Sequence, residues 1–247
     1  MKYTSSLLFL IKVIFWLKPK NARSLWVSFL LPLGLFGCLN DNDPAPEIII
    51  EPAFSSLIAS DTISSGNYKT FSIGTTAAST YKAINDYKGS IDLDYINIVS
   101  NIYSDLSALE GKFGLYHSIF LDEKSGTSSG VQLTVKDNRI ETIFLNSGKS
   151  LEKWPEELKQ TAIRKGDDVA ELFGKLQMIS EQIAYKNKFE AINLLTKDLS
   201  KVYDPQMAAS PQWYFAYTVE ENKMDVVKLN FKEGILNNII VNHFQTY

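Results

Sequence analysis

Apolar and polar residues follow one another along this chain in three rhythms. The first is continuous: residues 7–17 are apolar apart from Lys12, and residues 25–36 are apolar apart from Ser28, Pro32 and Gly34. The second has the period of a helix. Val169, Leu172, Phe173, Leu176, Ile179 and Ile183 recur at i, i+3, i+4 and i+7 spacing, which gathers them into one stripe. The third has period two. Leu133 and Val135 alternate with Gln132, Thr134 and Lys136, and Leu229 and Phe231 alternate with Lys228, Asn230 and Lys232, as half-buried strands do. Each alternating run meets a turn, Asp137-Asn138 or Glu233-Gly234, and then a second apolar run at 140–145 or 235–241. Asn or Gly there supplies the positive φ of a tight hairpin. Further strands are expected over 115–121 and 213–219. Residues 47–69 carry only Ile48-Ile49-Ile50 as a β-like run before polar punctuation, which predicts a connector.

The rhythms recur in order. Residues 73–84 lie over 165–176 at an offset of 92, residues 96–100 over 192–196 at an offset of 96, and residues 131–145 over 227–241 at the same offset of 96. Gly74-Thr75-Thr76 and Gly166-Asp167-Asp168 open the two helices, where a hydroxyl or carboxylate caps free backbone N–H groups, and Asp168 with Glu171 has capping-box spacing. Each copy therefore reads as a helix, a second helix or strand (93–109 or 189–202), and an antiparallel meander. The predicted fold class is α+β, with two tandem copies of a helix-helix-meander unit and helices on one sheet face. The predicted boundaries are a signal peptide at 1–37, a lipidated cysteine with tether and connector at 38–70, a first repeat at 71–149 and a second at 150–247. Residues 151–159, with Trp154-Pro155, bridge the copies.

Composition changes the reading of the N-terminal runs. Lys18, Lys20 and Arg23 precede the apolar core at 25–36, and small Gly37 follows it, which is the order of a secretory signal. The core is shorter than the roughly 20 residues a membrane span needs. The earlier run at 7–17 is redundant with it and predicts an over-extended N-terminus, with the working signal beginning near Lys18. Cys38 is the only cysteine. Leu35-Phe36-Gly37-Cys38 resembles the lipobox of bacterial lipoproteins, with Phe36 in place of the usual small residue. The resemblance implies cleavage between Gly37 and Cys38, a diacylglycerol thioether on Cys38, and usually acylation of the new amine. Several acyl chains anchor far more firmly than one. The stretch Leu39 to Pro46, with Asp41-Asn42-Asp43, reads as a flexible tether. It resembles the acidic segment of surface-exported lipoproteins in Bacteroidota-like bacteria. The expected location is the outer membrane of a Gram-negative bacterium, facing the periplasm or the cell surface.

The Gly-Thr/Asp helix cap, the strand at Trp213-Tyr214-Phe215 and the Asn/Asp/Gly-turned hairpins are similar to the SmpA/OmlA outer-membrane lipoprotein domain. Their doubling over residues 71–241 is similar to the β-lactamase-inhibitor-protein-like fold. That likeness implies a fold and leaves function open.

Residues 1–37 carry five basic and no acidic groups, so the remainder has 20 Lys+Arg against 28 Asp+Glu and a net charge of −8. This balance argues against a nucleic-acid partner. With Cys38 acylated, no thiol remains for a disulfide, a metal or nucleophilic catalysis. His117 and His243 lack partners at metal or triad spacing, the acidic pairs Asp92/Asp94 and Asp167-Asp168 lack a calcium-loop pattern, and no phosphate loop or hydrolase signature occurs. No cofactor, metal or catalytic residue is predicted. The candidate binding residues are Trp213, Tyr214, Phe215 and Tyr217. On a strand, Trp213, Phe215 and Tyr217 share one face and Tyr214 takes the other; the bulky trio is the better core candidate, and exposed it would suit a protein or carbohydrate. The expected function is a non-enzymatic, lipid-anchored envelope protein whose open sheet binds a protein partner or serves as a scaffold. The alternative is a small-ligand or glycan-binding lipoprotein. A hydrolase would need carboxylates or His117 converging in one cleft.

Overall fold

The computed structural model describes residues 55–247. The signal, Gly37, Cys38, the acidic tether and Ile48-Ile49-Ile50 lie outside the described residues. One sheet of eleven strands dominates, and every pairing in it is antiparallel. In chain order its main strands are β1 (Ser55–Ile63), β4 (Tyr95–Ile98), β5 (Ile102–Tyr103), β6 (Tyr116–Asp122), β7 (Val131–Lys136), β8 (Arg139–Leu145), β9 (Ser150–Leu151), β12 (Ala191–Asp198), β13 (Gln212–Glu220), β14 (Lys223–Lys232) and β15 (Ile235–Thr246). Across the sheet they run β1-β15-β14-β13-β4-β12-β6-β7-β8-β9, with β5 beside β12. Two small hairpins, β2–β3 (Asn67–Tyr68 and Phe71–Ser72) and β10–β11 (Lys153–Trp154 and Ile163–Arg164), stand apart.

This overturns the α+β expectation. Only two short α-helices occur among the described residues, α1 (Ala77–Tyr87) and α2 (Leu172–Ser180). The stretches 93–109 and 189–202, read as a second helix or strand and counted as helices in the α+β fold class, form β4, β5 and β12 with short 3-10 turns. The reason is visible in the side chains: Ile96 and Ile98, like Ile192 and Leu194, are fully buried at period two. A helix would scatter these residues around its axis. The buried sheet face is covered by loops, 3-10 turns and the two short helices together, and not by a helical layer. Helix α2 also ends early, since Ile183 is 94% exposed and the chain passes into 3-10 turns after Ser180. Residues 55–63, expected as connector, form β1 because their backbone finds β15.

The two copies are not tandem modules either. The sheet order is symmetric about the β4/β12 junction, and each copy's first strand lies beside the other copy's meander: β4 next to β13, β12 next to β6. The helix-opening loops are exchanged in the same way. Gly74 N donates to Leu236 O at 2.8 Å, Leu236 N to Thr75 O at 2.9 Å and Ala77 N to Gly234 O at 2.8 Å. In the other half Gly166 N donates to Ile140 O at 2.8 Å, Ile140 N to Asp167 O at 2.9 Å and Val169 N to Asn138 O at 2.9 Å. These are the same three bonds at repeat-equivalent positions. Thr76 Oγ1 then accepts from Ser79 N, and Asp168 Oδ1 from Ala170 N, as the capping pattern requires.

The core joins both halves. Phe71 and Tyr81, from the α1 region, lie against Phe215 and Trp213 at centroid distances of 6.0 and 6.5 Å. Trp213 meets Phe231 at 4.4 Å and donates its Nε1–H to Met207 O. Under the other half, Leu172, Leu176 and Ile179 of α2 are buried in the same continuous core as Leu133, Ile143 and Ile119.

A buried polar network sits near the centre. Tyr116 donates to Asp204 Oδ2 at 2.8 Å, Asn101 Nδ2 donates to Tyr116 Oη and Leu194 O, and Tyr103 donates to Asn101 Oδ1. Burial, reinforced by Asp204, pushes the Tyr116 phenol far above its ordinary range. Lys197 is fully buried: its Nζ donates to Asp198 O at 2.7 Å and lies 5.4 Å from the Tyr81 ring centre and 6.0 Å from that of Tyr116. No carboxylate stands within ion-pair distance of it among the described residues, and burial lowers its pKa from 10.5 to about 8.

Two outcomes follow from this architecture. Gly74 and Gly166 have φ of +87° and +84° with open space where a Cβ would sit, so alanine there meets only backbone strain. Each substitution should lower unfolding stability by about 1–2 kcal/mol, measured by denaturant titration. For Lys197 the unfolded chain binds more protons between about pH 8 and 10, so stability should rise across that window. Above it, buried tyrosines such as Tyr81 and Tyr103, raised by burial to about 12, reverse the slope. Lys197→Met should fold and flatten the rise; an unchanged pH profile in the variant would assign it to other groups.

Candidate functional site

The sheet face opposite the core is the broadest feature available for recognition. Its side chains fall in rows because register partners on neighbouring strands share a face. The longest row starts at Thr62 on β1 and passes through Ile240, Lys228 and Tyr214 to Asn97 at the centre. It continues through Thr196, Ser118 and Thr134 to Thr142 on β8. Nine strands at about 4.8 Å spacing make this row roughly 38 Å long. A second row runs Ile102, Asn193, Phe120, Gln132, Phe144 and Ser150. A third is Gln212, Asn230 and Asn238. Lys228 is the only charged side chain in the three rows.

Hydrogen bonds between neighbours hold these side chains in place. Thr196 Oγ1 donates to Asn97 Oδ1 at 3.0 Å, and the Thr134 and Thr142 hydroxyls are 2.6 Å apart. Gln212 Nε2 donates to Asn230 Oδ1 at 2.6 Å, and Asn230 Nδ2 to Asn238 Oδ1 at 2.7 Å. Thr134/Thr142 and Asn230/Asn238 are repeat-equivalent pairs, so the exchange symmetry of the backbone extends to this face. The Asn193 Oδ1 atom is buried without a hydrogen-bond partner among the described residues. Tyr214 and Phe144 present flat rings, each 36% exposed.

Of the predicted binding residues, the structure splits the strand by parity. Trp213, Phe215 and Tyr217 are 0%, 1% and 9% exposed and belong to the core, so they offer no surface to a ligand. Tyr214 alone reaches the open face. The row residues on β4, β6, β7, β8 and β12 were not singled out from sequence. Their only local signal is the alternation of Thr, Asn and Gln with buried apolar residues.

A polar cleft of about 340 Å³ opens at the end of β4, β6, β12 and the β7–β8 turn. Asp94, Tyr95, His117, Lys136, Asp198 and Lys201 line it. Here His117 and carboxylates do converge. His117 Nδ1 lies 2.6 Å from Val135 O, so Nδ1 carries the proton and donates, and the ring packs 4.9 Å from Tyr95. His117 has no hydrogen bond to a hydroxyl or carboxylate among the described residues, so no nucleophile–base pair is assembled there. Lys201 is engaged by Asn138 Oδ1 at 3.0 Å and Lys136 by Glu141 at 3.8 Å.

His243 has a structural setting. Its Nδ1 lies 2.6 Å from Asp225 Oδ1 and its Nε2 3.3 Å from Asp61 Oδ2. The hydrogen bond to Asp225, helped by Asp61, raises its pKa above the ordinary imidazole value. The ring thus links the edge strand β1 to β14. Asp167 and Asp168 serve the helix start, with Asp167 pairing Lys175 at 2.7 Å. Among the described residues no group of three or more His, Cys, Asp or Glu could hold a metal ion, and no helix is long and apolar enough to cross a membrane.

No family model, curated protein or solved structure matches the chain, so the open face has to be read from its own geometry.

Proposed function

We propose that this chain is a lipid-anchored envelope protein that works by binding, with the open sheet face as its binding surface and a neutral glycan chain as its ligand. One observation carries the reading: the central rows of the open face, one of them crossing nine strands, consist of hydroxyl, amide, aromatic and aliphatic side chains with Lys228 as their single charge, and cross-strand hydrogen bonds preorder the hydroxyls and amides. Hydroxyl and amide groups match the donors and acceptors of a neutral sugar chain, and the rings of Tyr214 and Phe144 offer apolar plates for pyranose faces. Nucleic acid and anionic lipid call for clustered cationic side chains, and the three rows hold only Lys228. The centre of a protein interface is anchored by Trp, Tyr and Arg, and of these the rows contain only Tyr214.

Anchoring at Cys38 in the outer membrane rests on the lipobox-like segment. Sixteen residues lie between Cys38 and the start of β1 at Ser55. That is a reach of up to roughly 55–60 Å if extended, enough to present the face to envelope polymers at a distance from the anchor.

Affinity electrophoresis tests the ligand class. Migration should be retarded in gels containing a neutral polysaccharide such as xylan, galactomannan or hydroxyethylcellulose, and not in polygalacturonate. Tyr214→Ala and Phe144→Ala should each weaken retardation about tenfold, with folding intact. Failure of every neutral polymer to retard the protein would overturn the reading. For the anchor, Cys38→Ser should abolish labelling by a palmitate analogue and release the protein from membranes; persistent labelling would remove the lipid anchor from the proposal.

A further inference from the structure

β1 is held to the sheet almost entirely by polar contacts. None of its nine side chains is buried: Ser55, Ser56 and Ile63 are half-buried and the six between them are exposed. Ile63 alone, at the end where the chain enters the domain, packs against the core. The ladder to β15 is interrupted at Ile58, where the register slips and one residue bulges out. A strand with exposed backbone hydrogen bonds and so little apolar burial opens at lower cost than the body of the domain.

Three side-chain contacts fasten this strand to β15 and Tyr247. Ser56 Oγ and Tyr247 Oη are 3.0 Å apart, Ser60 Oγ donates to Asn242 Oδ1 at 2.8 Å, and His243 Nε2 lies 3.3 Å from Asp61 Oδ2. The third differs from the others because its ring is shared. His243 Nδ1 lies 2.6 Å from Asp225 Oδ1, so the imidazole stands between two carboxylates, one at each nitrogen. An ionised carboxylate only accepts, and a neutral imidazole has one N–H. Both bonds therefore exist together only while the ring carries two protons. When it loses one, the other stays on Nδ1, where the bond is shorter and the Asp225 carboxylate is buried. Nε2 then turns a lone pair towards Asp61, and the contact that held β1 becomes a repulsion between two acceptors.

We infer that β1 is a detachable strap, fastened to the sheet while both His243 ring nitrogens carry a proton and released when Nε2 loses its own. Asp225 and Asp61 raise the ring above the ordinary imidazole value, so fastening is complete below that value and is lost as pH rises through the raised one. The other groups on this face keep their charge. Tyr217 donates to Asp225 Oδ2 at 3.3 Å and meets Tyr68 at 3.2 Å, and burial pushes both phenols up. Lys223, next along the same face of β14, is paired with Glu220 at 2.9 Å. Release lends the nine residues of β1 to the tether, an added reach of up to roughly 30 Å that rests on the lipid-anchor reading.

Hydrogen exchange on the purified full chain in detergent tests the strap without reference to the anchor. Exchange is expressed as protection factors, which divide out the intrinsic pH dependence of the amides. From pH 6 to pH 9 the protection of residues 55–63 should fall about fivefold, while that of β14 does not fall. Asp61→Asn should keep its protection at pH 9, because the amide can donate to the neutral Nε2. Asp61→Ala should show low protection at both pH values. Protection of 55–63 that ignores pH, an equal fall in Asp61→Asn, full protection of Asp61→Ala at pH 6, or a parallel fall in β14 would each overturn the inference. An unlabelled Cys38 would overturn the added reach alone.

Discussion

The structure depends on a reciprocal exchange of backbone hydrogen bonds. Each loop that opens a helix satisfies its peptide groups on the hairpin of the other copy, three bonds in each direction. Buried peptide groups must be paired, and here the partners lie far off in sequence. Leu236 and Thr75 are joined across most of the described chain, as the second hairpin is to the first loop. With β4 and β12 exchanged as well, neither copy can complete its own ladder, and the eleven strands form one body. The positive φ at Gly74 and Gly166 belongs to the same device, since it turns the chain into the hairpin before the helix begins.

The exchange also explains how the two faces of the sheet come to differ. On one side, Trp213, Phe215, Ile119 and Leu133 share a continuous core with both short helices. Beneath the centre, Tyr116, Asn101, Asp204 and Lys197 satisfy one another or nearby carbonyls, which keeps a polar cluster tolerable at depth. On the other side, the alternate residues face solvent as hydroxyls and amides, tied into pairs by cross-strand bonds. Such pairs immobilise side chains before any ligand arrives, so binding there costs less ordering entropy. The same preorganisation serves a surface that works by fit along its length better than one that works through a deep pocket.

Much of the strand pattern was legible in the sequence because it is local. Gln132 to Lys136 and Lys228 to Lys232 alternate as they do in the folded sheet, and the turns at Asp137-Asn138 and Glu233-Gly234 adopt the expected positive φ. Thr76 and Asp168 cap as their spacing implies. The stretches around β4 and β12 were misleading for a physical reason. Residues such as Asn193-Leu194-Leu195 fit a helix face as well as a strand, and only neighbours on both sides decide between them. The same holds for β1, which is a strand because β15 is beside it. At the candidate site, period two placed Tyr214 and Trp213 on opposite faces, and bulk favoured Trp213, Phe215 and Tyr217 as the core side without fixing it. Tyr81 and Phe231 decided that by packing on Trp213.

By itself, then, the sequence determined the periods, the turns, the helix caps, the duplicated blocks, the acidic balance of the chain and the lipobox-like segment at Cys38, because each is written in neighbouring residues or in composition. The tertiary structure alone decided that the copies interlock, that the aromatic trio is core, that Asn97, Thr196, Ser118, Thr134 and Thr142 form one row, and that β1 is left at an edge. Those are properties of register between strands distant in the chain, and register is set by which backbone groups find each other when the sheet closes.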